Sequence, residues 1–133
     1  MPEERLARGV LDTSVVIDLD KIDIGALPVE VAVTAITMAE LAAGPHATPD
    51  LAERARRQDR LQRAEAVFDP LPFDNAAARA YGRICAAVLA AGRGARAVDL
   101  LIAAIACSEQ LPLFTRNPED FQALDGLVVI HSV

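Results

Sequence analysis

Residues 96–115 read RAVDLLIAAIACSEQLPLFT, and this stretch decides the fold class. Seven residues without a polar side chain, Leu100 to Ala106, follow Asp99 and predict a helix that enters the core. The segment LPLFT at 111–115 then predicts a short apolar strand. A buried helix that leads into an apolar strand is typical of α/β proteins with parallel sheets.

The same alternation continues on both sides of this stretch. Strands are predicted at 8–12, 29–36 and 127–133, and the prolines of 69–73 predict an extended segment at a sheet edge. Helices are predicted after residue 12 and at 37–44, 50–68, 75–91 and 117–124, with Thr13, Ser14 and Asn75 as N-terminal caps. The order of elements predicts an α/β fold with a parallel sheet covered on both faces.

The composition limits the class of protein. The chain has 133 residues, 53% of them hydrophobic, which predicts one domain over 1–133 with a single core. No apolar stretch approaches the roughly 20 residues of a membrane span. The N-terminal residues MPEERLARG lack the apolar core of a signal peptide, so we expect a cytoplasmic protein.

Cysteines and histidines give no sign of a metal or redox motif. Cys85 and Cys107 are 22 positions apart without a CxxC pair, and we interpret both as small core residues. His46 and His131 lack partners at the spacing of a zinc site or a catalytic triad.

The net charge of −6 is unevenly distributed. Residues 51–116 carry ten basic and seven acidic side chains, whereas the segments on either side are acidic. The arginines of 54–63 are interpreted first as a solvated helix face paired with Glu53, Asp59 and Glu65, with phosphate contact as the alternative. Arg93 and Arg96 stand just before Asp99, and Arg116 follows LPLFT, so we expect these arginines to contact a phosphate backbone.

Five oxygen-bearing side chains follow the predicted strands. Asp12 ends the first strand, Glu40 comes one to two helical turns after the second, Asp99 opens the buried helix, and Asn117 and Asp120 follow LPLFT. In an open α/β sheet, ligands bind beyond the carboxyl ends of the strands, where these residues are expected to meet.

Carboxylates that converge at one edge repel one another unless a cation neutralises them. Mg²⁺ prefers oxygen ligands and is typically held by one or two carboxylates together with substrate phosphates. A metal ion at such a site can polarise a phosphoryl group and lower the pKa of a bound water. The pattern therefore favours metal-dependent phosphodiester cleavage.

Each acidic residue also has a structural interpretation. Asp12 and Asp99 could be helix N-caps, Glu40 could be a surface residue, and Asp120 could interact with a helix dipole. Four independent caps need not all lie on one edge of one sheet, and this joint placement favours the metal site.

The ordered motifs resemble those of the PIN domain, specifically the VapC toxins of bacterial toxin–antitoxin pairs, over nearly the whole chain. The motifs that carry the resemblance are VLDTSVVIDL with Asp12, VTAITMAEL with Glu40, AVDLLIAAIA with Asp99, and LFTRNPEDF with Asn117 and Asp120.

This resemblance implies an α/β/α sandwich with a central, mainly parallel sheet. It also implies an endoribonuclease that depends on Mg²⁺ or Mn²⁺, a homodimer or a larger toxin–antitoxin assembly, and a VapB antitoxin that blocks the site. On this pattern Asp12 and Asp99 are the principal metal ligands and Glu40 completes the acidic cluster. Thr13 or Ser14 would position water or phosphate.

One position departs from the pattern. Many PIN domains have an acid two positions after the threonine that corresponds to Thr115, and this chain has Asn117. An amide oxygen carries no charge, and Asp120 lies one helical turn away, so we expect one Mg²⁺ ion. Thr115 is a further candidate for substrate contact.

The residues also bear on three other classes of protein. A receiver-type signalling domain needs a lysine near the last strands, and the single lysine is Lys21. A haloacid-dehalogenase-like phosphatase needs an acid at position 14, where Ser14 stands. A PIN-like module that binds RNA or an antitoxin without cutting remains the alternative; missing carboxylates would indicate it.

Overall fold

The computed structural model describes residues 5–92 and 94–133, and these form one parallel sheet with helices on both faces. The strands are β1 (Arg8–Leu11), β2 (Glu30–Ala32), β3 (Leu113–Thr115) and β4 (Ile130–Ser132). Their order in the sheet is β2-β1-β3-β4, and every pairing is parallel. The predicted α/β class and parallel sheet are confirmed.

In the described part of the chain, five α-helices lie between the strands: α1 (Thr13–Ile17), α2 (Ala35–Ala43), α3 (Leu51–Val67), α4 (Asn75–Ala91) and α5 (Ala97–Ser108). A 3-10 helix, Pro118–Leu124, follows β3 where a short helix was predicted. The extended segment predicted at 69–73 is present too, since Leu71 forms an isolated parallel bridge with Thr34. None of the described helices has both the length and the apolar character needed to cross a membrane.

Alternating side chains of the central strands build a hydrophobic cluster on each face of the sheet. Val10 and Leu113 face the first cluster, in which α4 and α5 contribute Ala80, Ile84 and Ile102. The second cluster contains Leu11 and Phe114 from the same strands, with Val15, Leu41 and Ala64 from α1, α2 and α3. These layers form the expected α/β/α sandwich.

The helix caps agree with the sequence interpretation in part. Asp12 is the N-cap of α1, as one interpretation of this residue expected, whereas Thr13 and Ser14 lie inside the helix; Asp74, rather than Asn75, is the N-cap of α4. Each aspartate comes one position earlier and accepts a backbone N–H of the first turn, which a carboxylate does at least as well as a hydroxyl or amide. Helix α4 ends at Gly92, whose φ of 66° places it in the left-handed region that favours glycine.

The two cysteines are half-buried and free, so they lie at the margin of the core rather than wholly inside it. The ring of His131 stacks on Phe114, with 4.9 Å between ring centroids. This contact gives His131 a packing role.

Candidate functional site

The parallel sheet brings the predicted acidic residues to one edge. Asp12 directly follows β1, the 3-10 helix with Asp120 follows β3, and β1 and β3 are neighbours in the sheet. Helices α2 and α5 carry Glu40 and Asp99 to the same edge, where both carboxylates act electrostatically on each other.

Asp12 is buried and held by three hydrogen-bond donors. The residue is 4% exposed. Oδ1 accepts the backbone N–H of Thr13 at 2.8 Å, and Oδ2 accepts the hydroxyls of Ser14 and Thr115, each at 2.9 Å. Asp12 is therefore both a helix cap and a rigidly oriented carboxylate. Its three hydrogen bonds use three of about four lone-pair sites and leave one on Oδ1 that could face a cation.

Asp99 is equally buried, yet one of its oxygens has no partner. The residue is 5% exposed, and Oδ2 accepts no hydrogen bond from any described residue. It lies in the first turn of α5, where Arg96 takes the N-cap position. The interpretation of Asp99 as an N-cap is therefore wrong, because the helix begins two residues before it.

Burial raises the pKa of the Asp99 carboxyl from 3.8 to about 6, against the opposing positive charge of Arg96. Negative charges of three neighbours add to the rise: Asp12, Asp120 and Glu40. An unpaired buried carboxylate is costly, and a cation placed among these charges would remove the cost.

Glu40 is held from two sides. Its Oε1 accepts the Thr13 hydroxyl at 2.6 Å, and its Oε2 accepts a guanidinium N–H of Arg96 at 3.2 Å. The ion pair joins α2 to the start of α5, so the predicted phosphate-binding Arg96 contacts an acidic residue of the site. Its side chain is 66% exposed, which leaves the rest of the guanidinium open to solvent.

The segment after β3 is more open. Asn117 and Asp120 are exposed, and Asn117 makes no side-chain cap bond. Its backbone N–H donates to the Thr115 hydroxyl at 3.0 Å. Asp120 adds negative charge near Asp99. Asn117 lies three positions before Asp120, and no hydrogen bond joins its side chain to the acidic residues of the described chain.

The remaining candidates for substrate contact occupy different positions. Thr115 is fully buried, and its hydroxyl donates to Asp12, as does that of Ser14. Arg116 lies at the edge, 3.7 Å from Asp18. Arg93 lies outside the described residues.

Helix α3 confirms the interpretation of residues 54–63 as a mainly solvated, ion-paired face. Arg56 and Arg57 both pair with Glu53, and Arg63 pairs with Asp59. Glu65, the third predicted partner, forms no ion pair in the part of the chain that the structure describes.

Two buried threonines of the site were missed by sequence reasoning. Thr34 and Thr37 are both fully buried, and Thr37 lies 2.9 Å from the Thr13 hydroxyl. Thr37 precedes Glu40 by one helical turn, and this spacing was the available signal.

The donor set fits a hard divalent ion that is completed by other ligands. Within residues 5–92 and 94–133, no three Asp, Glu, His or Cys side chains converge closely enough to form a metal site by themselves. Two buried carboxylates, one of them with an orphaned oxygen, match the way Mg²⁺ is held by one or two protein ligands with water and phosphate.

The family profile of the PIN domain matches residues 9–127, which include all five acidic or amide positions of the site. The chain belongs to the PIN domain family. Over 130 residues it is 39% identical to Ribonuclease VapC5 of Mycobacterium tuberculosis, covering 96% of this chain and 95% of the relative. It is 38% identical over 109 residues to Ribonuclease VapC8 of the same organism, covering 80% and 96%.

Solved PIN domain structures agree with this fold. The toxin–antitoxin structure VapBC-5 from M. tuberculosis includes a chain that matches with a TM-score of 0.84 at 40% identity, covering 96% of this chain and 98% of that one. A chain of FitAcB from Neisseria gonorrhoeae matches with a TM-score of 0.71 at 28% identity, covering 92% and 96%. The PIN fold therefore extends over nearly all of this chain.

Proposed function

We propose that this protein is the toxin of a type II toxin–antitoxin pair and an endoribonuclease that hydrolyses RNA phosphodiester bonds with the help of Mg²⁺ or Mn²⁺. The proposal includes a VapB antitoxin that blocks the site. It is supported by membership of the PIN domain family and by relatives named ribonucleases.

One observation carries the proposal: the unpartnered, buried Oδ2 of Asp99 beside the carboxylate of Asp12. A carboxylate that served only to cap a helix would accept a first-turn N–H, as Asp12 does. Oδ2 of Asp99 accepts no such N–H, so burial of this carboxylate is energetically unfavourable without a cation. This arrangement is expected of a metal ligand.

We assign each residue of the site a separate role. Asp12 and Asp99 would hold one ion, and Glu40 and Asp120 add negative charge around it. Such an ion, when bound, polarises the phosphoryl group and lowers the pKa of water. Ser14 and Thr115 keep the Asp12 carboxylate oriented, and the buried α5 keeps Asp99 rigid.

A PIN-like module that binds RNA or an antitoxin without cutting is the alternative. Its expected sign is the loss of acidic residues, and here Asp12 and Asp99 are retained and buried together. The same assay separates the two functions, because a binding module would retain RNA without producing fragments.

Cleavage of RNA by the purified protein tests the proposal. The chain, freed of antitoxin, should cut a structured RNA in Mg²⁺, should stop when a chelator removes the ion, and should resume when Mg²⁺ is added back. Gel analysis of end-labelled RNA measures this. Cleavage that continues in chelator would refute the metal mechanism, and binding without cleavage in Mg²⁺ would favour the alternative.

We further propose that Arg116 and the exposed part of Arg96 contact the RNA backbone, with Arg93 as a third candidate. Arg116 lies next to Thr115 at the carboxyl end of β3, and its ion pair with Asp18 is long at 3.7 Å. Long, partly exposed pairs are weak, so a phosphate can replace Asp18 at little cost.

Replacing Arg116 with Ala should weaken RNA binding and lower the salt dependence of the binding constant by about one unit in log–log slope, because one phosphate contact is lost. Binding is measured by fluorescence anisotropy in chelator, so that the RNA stays intact. Arg8→Ala is the matched control, since Arg8 lies at the amino end of β1 and the site lies beyond the carboxyl end of this strand. Equal slopes for Arg116→Ala and the wild type would reject the contact.

Three further expectations stay predictions. The resemblance predicts a homodimer, which sedimentation can measure. The length and composition predict a single domain over residues 1–133, and the N-terminal residues predict action in the cytoplasm. The family match over 9–127 and the two clusters on one sheet support the single domain.

A further inference from the structure

The hydroxyl of Thr13 lies between two partners inside the site. Its Oγ1 is 2.6 Å from Oε1 of Glu40 and 2.9 Å from Oγ1 of Thr37. Thr13 is 8% exposed and Thr37 is not exposed at all, so no solvent competes for these bonds at Thr37.

Counting protons fixes the direction of each bond. A hydroxyl has one proton, and an ionised carboxylate only accepts. The Thr13 proton is therefore given to Glu40, and the bond between the two threonines must be donated by Thr37. Thr37 in turn accepts from the Thr34 hydroxyl at 3.5 Å. The chain runs in one direction, from Thr34 through Thr37 and Thr13 to Glu40.

We propose that Thr13 and Thr37 are positioning residues for Glu40, and that the Thr13 hydroxyl does not donate to the RNA phosphate. Because Thr37 donates to the Thr13 oxygen, the one proton of the Thr13 hydroxyl is donated to Glu40. This inference rests on the proposed function in one respect, which is that the Glu40 carboxylate serves the metal-dependent reaction.

The local structure explains why these threonines suit the role. Thr34 caps α2 by accepting the backbone N–H of Thr37 at 3.1 Å, and this fixes the first turn of the helix. Thr37 and Glu40 are three positions apart, so they share one face of α2. The bond from Thr13 to Glu40 is short and charge-assisted, and such bonds are about twice as strong as neutral ones.

The opposite side of Glu40 is held more loosely. Arg96 reaches Oε2 at 3.2 Å with a side chain that is 66% exposed, so solvent and salt screen this pair. The three threonines on the other side are buried and joined by hydrogen bonds, so they set the orientation of the carboxylate. This role for Thr13 differs from the substrate contact that the sequence predicted.

A double-mutant cycle tests the proposal on two readouts, the Mn²⁺ affinity from calorimetry and kcat/KM for RNA cleavage. Thr13→Val should lower both by roughly tenfold, the lower end of the usual effect of losing a group that supports a metal site, because Glu40 acts on the ion through its charge. Thr37→Val should lower both by about fivefold, since one neutral hydrogen bond is lost. Thr13→Ser keeps the hydroxyl and should restore near-wild-type values.

The decisive comparison repeats these substitutions in a Glu40→Ala background. Residues that act only through Glu40 should have almost no further effect there. Leu41→Val is the matched control, because this buried neighbour on α2 lies outside the hydroxyl chain and should not change Mn²⁺ affinity in either background.

Two results would overturn the inference: a full Thr13→Val effect in Glu40→Ala, which would mean direct contact with substrate or ion, or a Thr13→Ser variant as impaired as Thr13→Val. Failure of the proposed function gives a different result. A wild-type protein that binds Mn²⁺ but does not cut RNA refutes the function while the affinity cycle still tests the threonines. A wild-type protein that does neither refutes both.

Discussion

Asn in place of Asp99 is expected to abolish RNA cleavage without unfolding the protein. The substitution keeps the size of the side chain, so the buried part of α5, which begins at Asp99, should pack as before. It removes the charge of a proposed metal ligand, and the loss of several kcal/mol of transition-state stabilisation corresponds to a fall of roughly a thousandfold or more in kcat/KM. Single-turnover cleavage of end-labelled RNA measures the loss.

The stability of the same variant separates a ligand from a structural residue. Because the Asp99 carboxylate is buried with an unpartnered oxygen, its neutral replacement should leave the free energy of unfolding in chelator unchanged or higher. Asp59→Asn is the matched control, an identical chemical change on the exposed face of α3, and should keep full activity. Retained cleavage by Asp99→Asn would contradict the proposed ligand role.

The second large effect is on the pH dependence of stability in the metal-free protein. The pKa of Asp99 is 3.8 before the effects of burial and about 6 in the folded chain, so the folded state binds more protons between these values. The unfolding free energy should therefore fall as pH rises from about 4 to above 6, by up to about 3 kcal/mol from this group alone. Urea unfolding at several pH values, with chelator present, measures it.

Other carboxylates titrate in the same range, and the difference between the wild type and Asp99→Asn isolates the contribution of Asp99. The unfolding free energy of the wild type minus that of the variant should be largest at low pH, where the Asp99 carboxyl is protonated. It should decrease as pH rises past 6. A difference that does not change between pH 4 and 7 would show that the Asp99 carboxyl has an ordinary pKa.

Much of the fold follows from local sequence signals. The apolar run from Leu100 to Ala106 formed the predicted buried helix, and β1 ends one residue before the end of its predicted strand. Parallel pairing then brings the ends of β1 and β3 together, which is why the acidic edge could be predicted from acidic residues that follow the strands along the chain.

Details that depend on atomic positions could not be predicted. An aspartate that caps a helix and one inside its first turn look alike in sequence. The structure places Asp12 at the N-cap of α1 and Asp99 inside the first turn of α5. The contacts of Thr37 with Thr13 and of Arg96 with Glu40 join residues from different elements, and periodicity within one element contains no information on such contacts.

The ion pair of Arg96 could not be predicted from charge alone. A basic residue close in sequence to predicted ligands indicated phosphate contact, and the structure shows that part of its guanidinium is paired with Glu40. The pair keeps a positive charge beside Asp99 and partly opposes the rise of its pKa.

If the buried Asp99 carboxylate holds a divalent ion, the ion should stabilise the folded protein through this residue. Urea unfolding of the wild type and Asp99→Asn at pH 7.5, each in chelator and in Mn²⁺, measures this. In chelator, the wild type is expected to be no more stable than the variant. Mn²⁺ at 100 times its Kd should stabilise only the wild type, by about 2.7 kcal/mol. Equal stabilisation of both proteins by Mn²⁺, or of neither, would show that Asp99 is not a ligand of the ion.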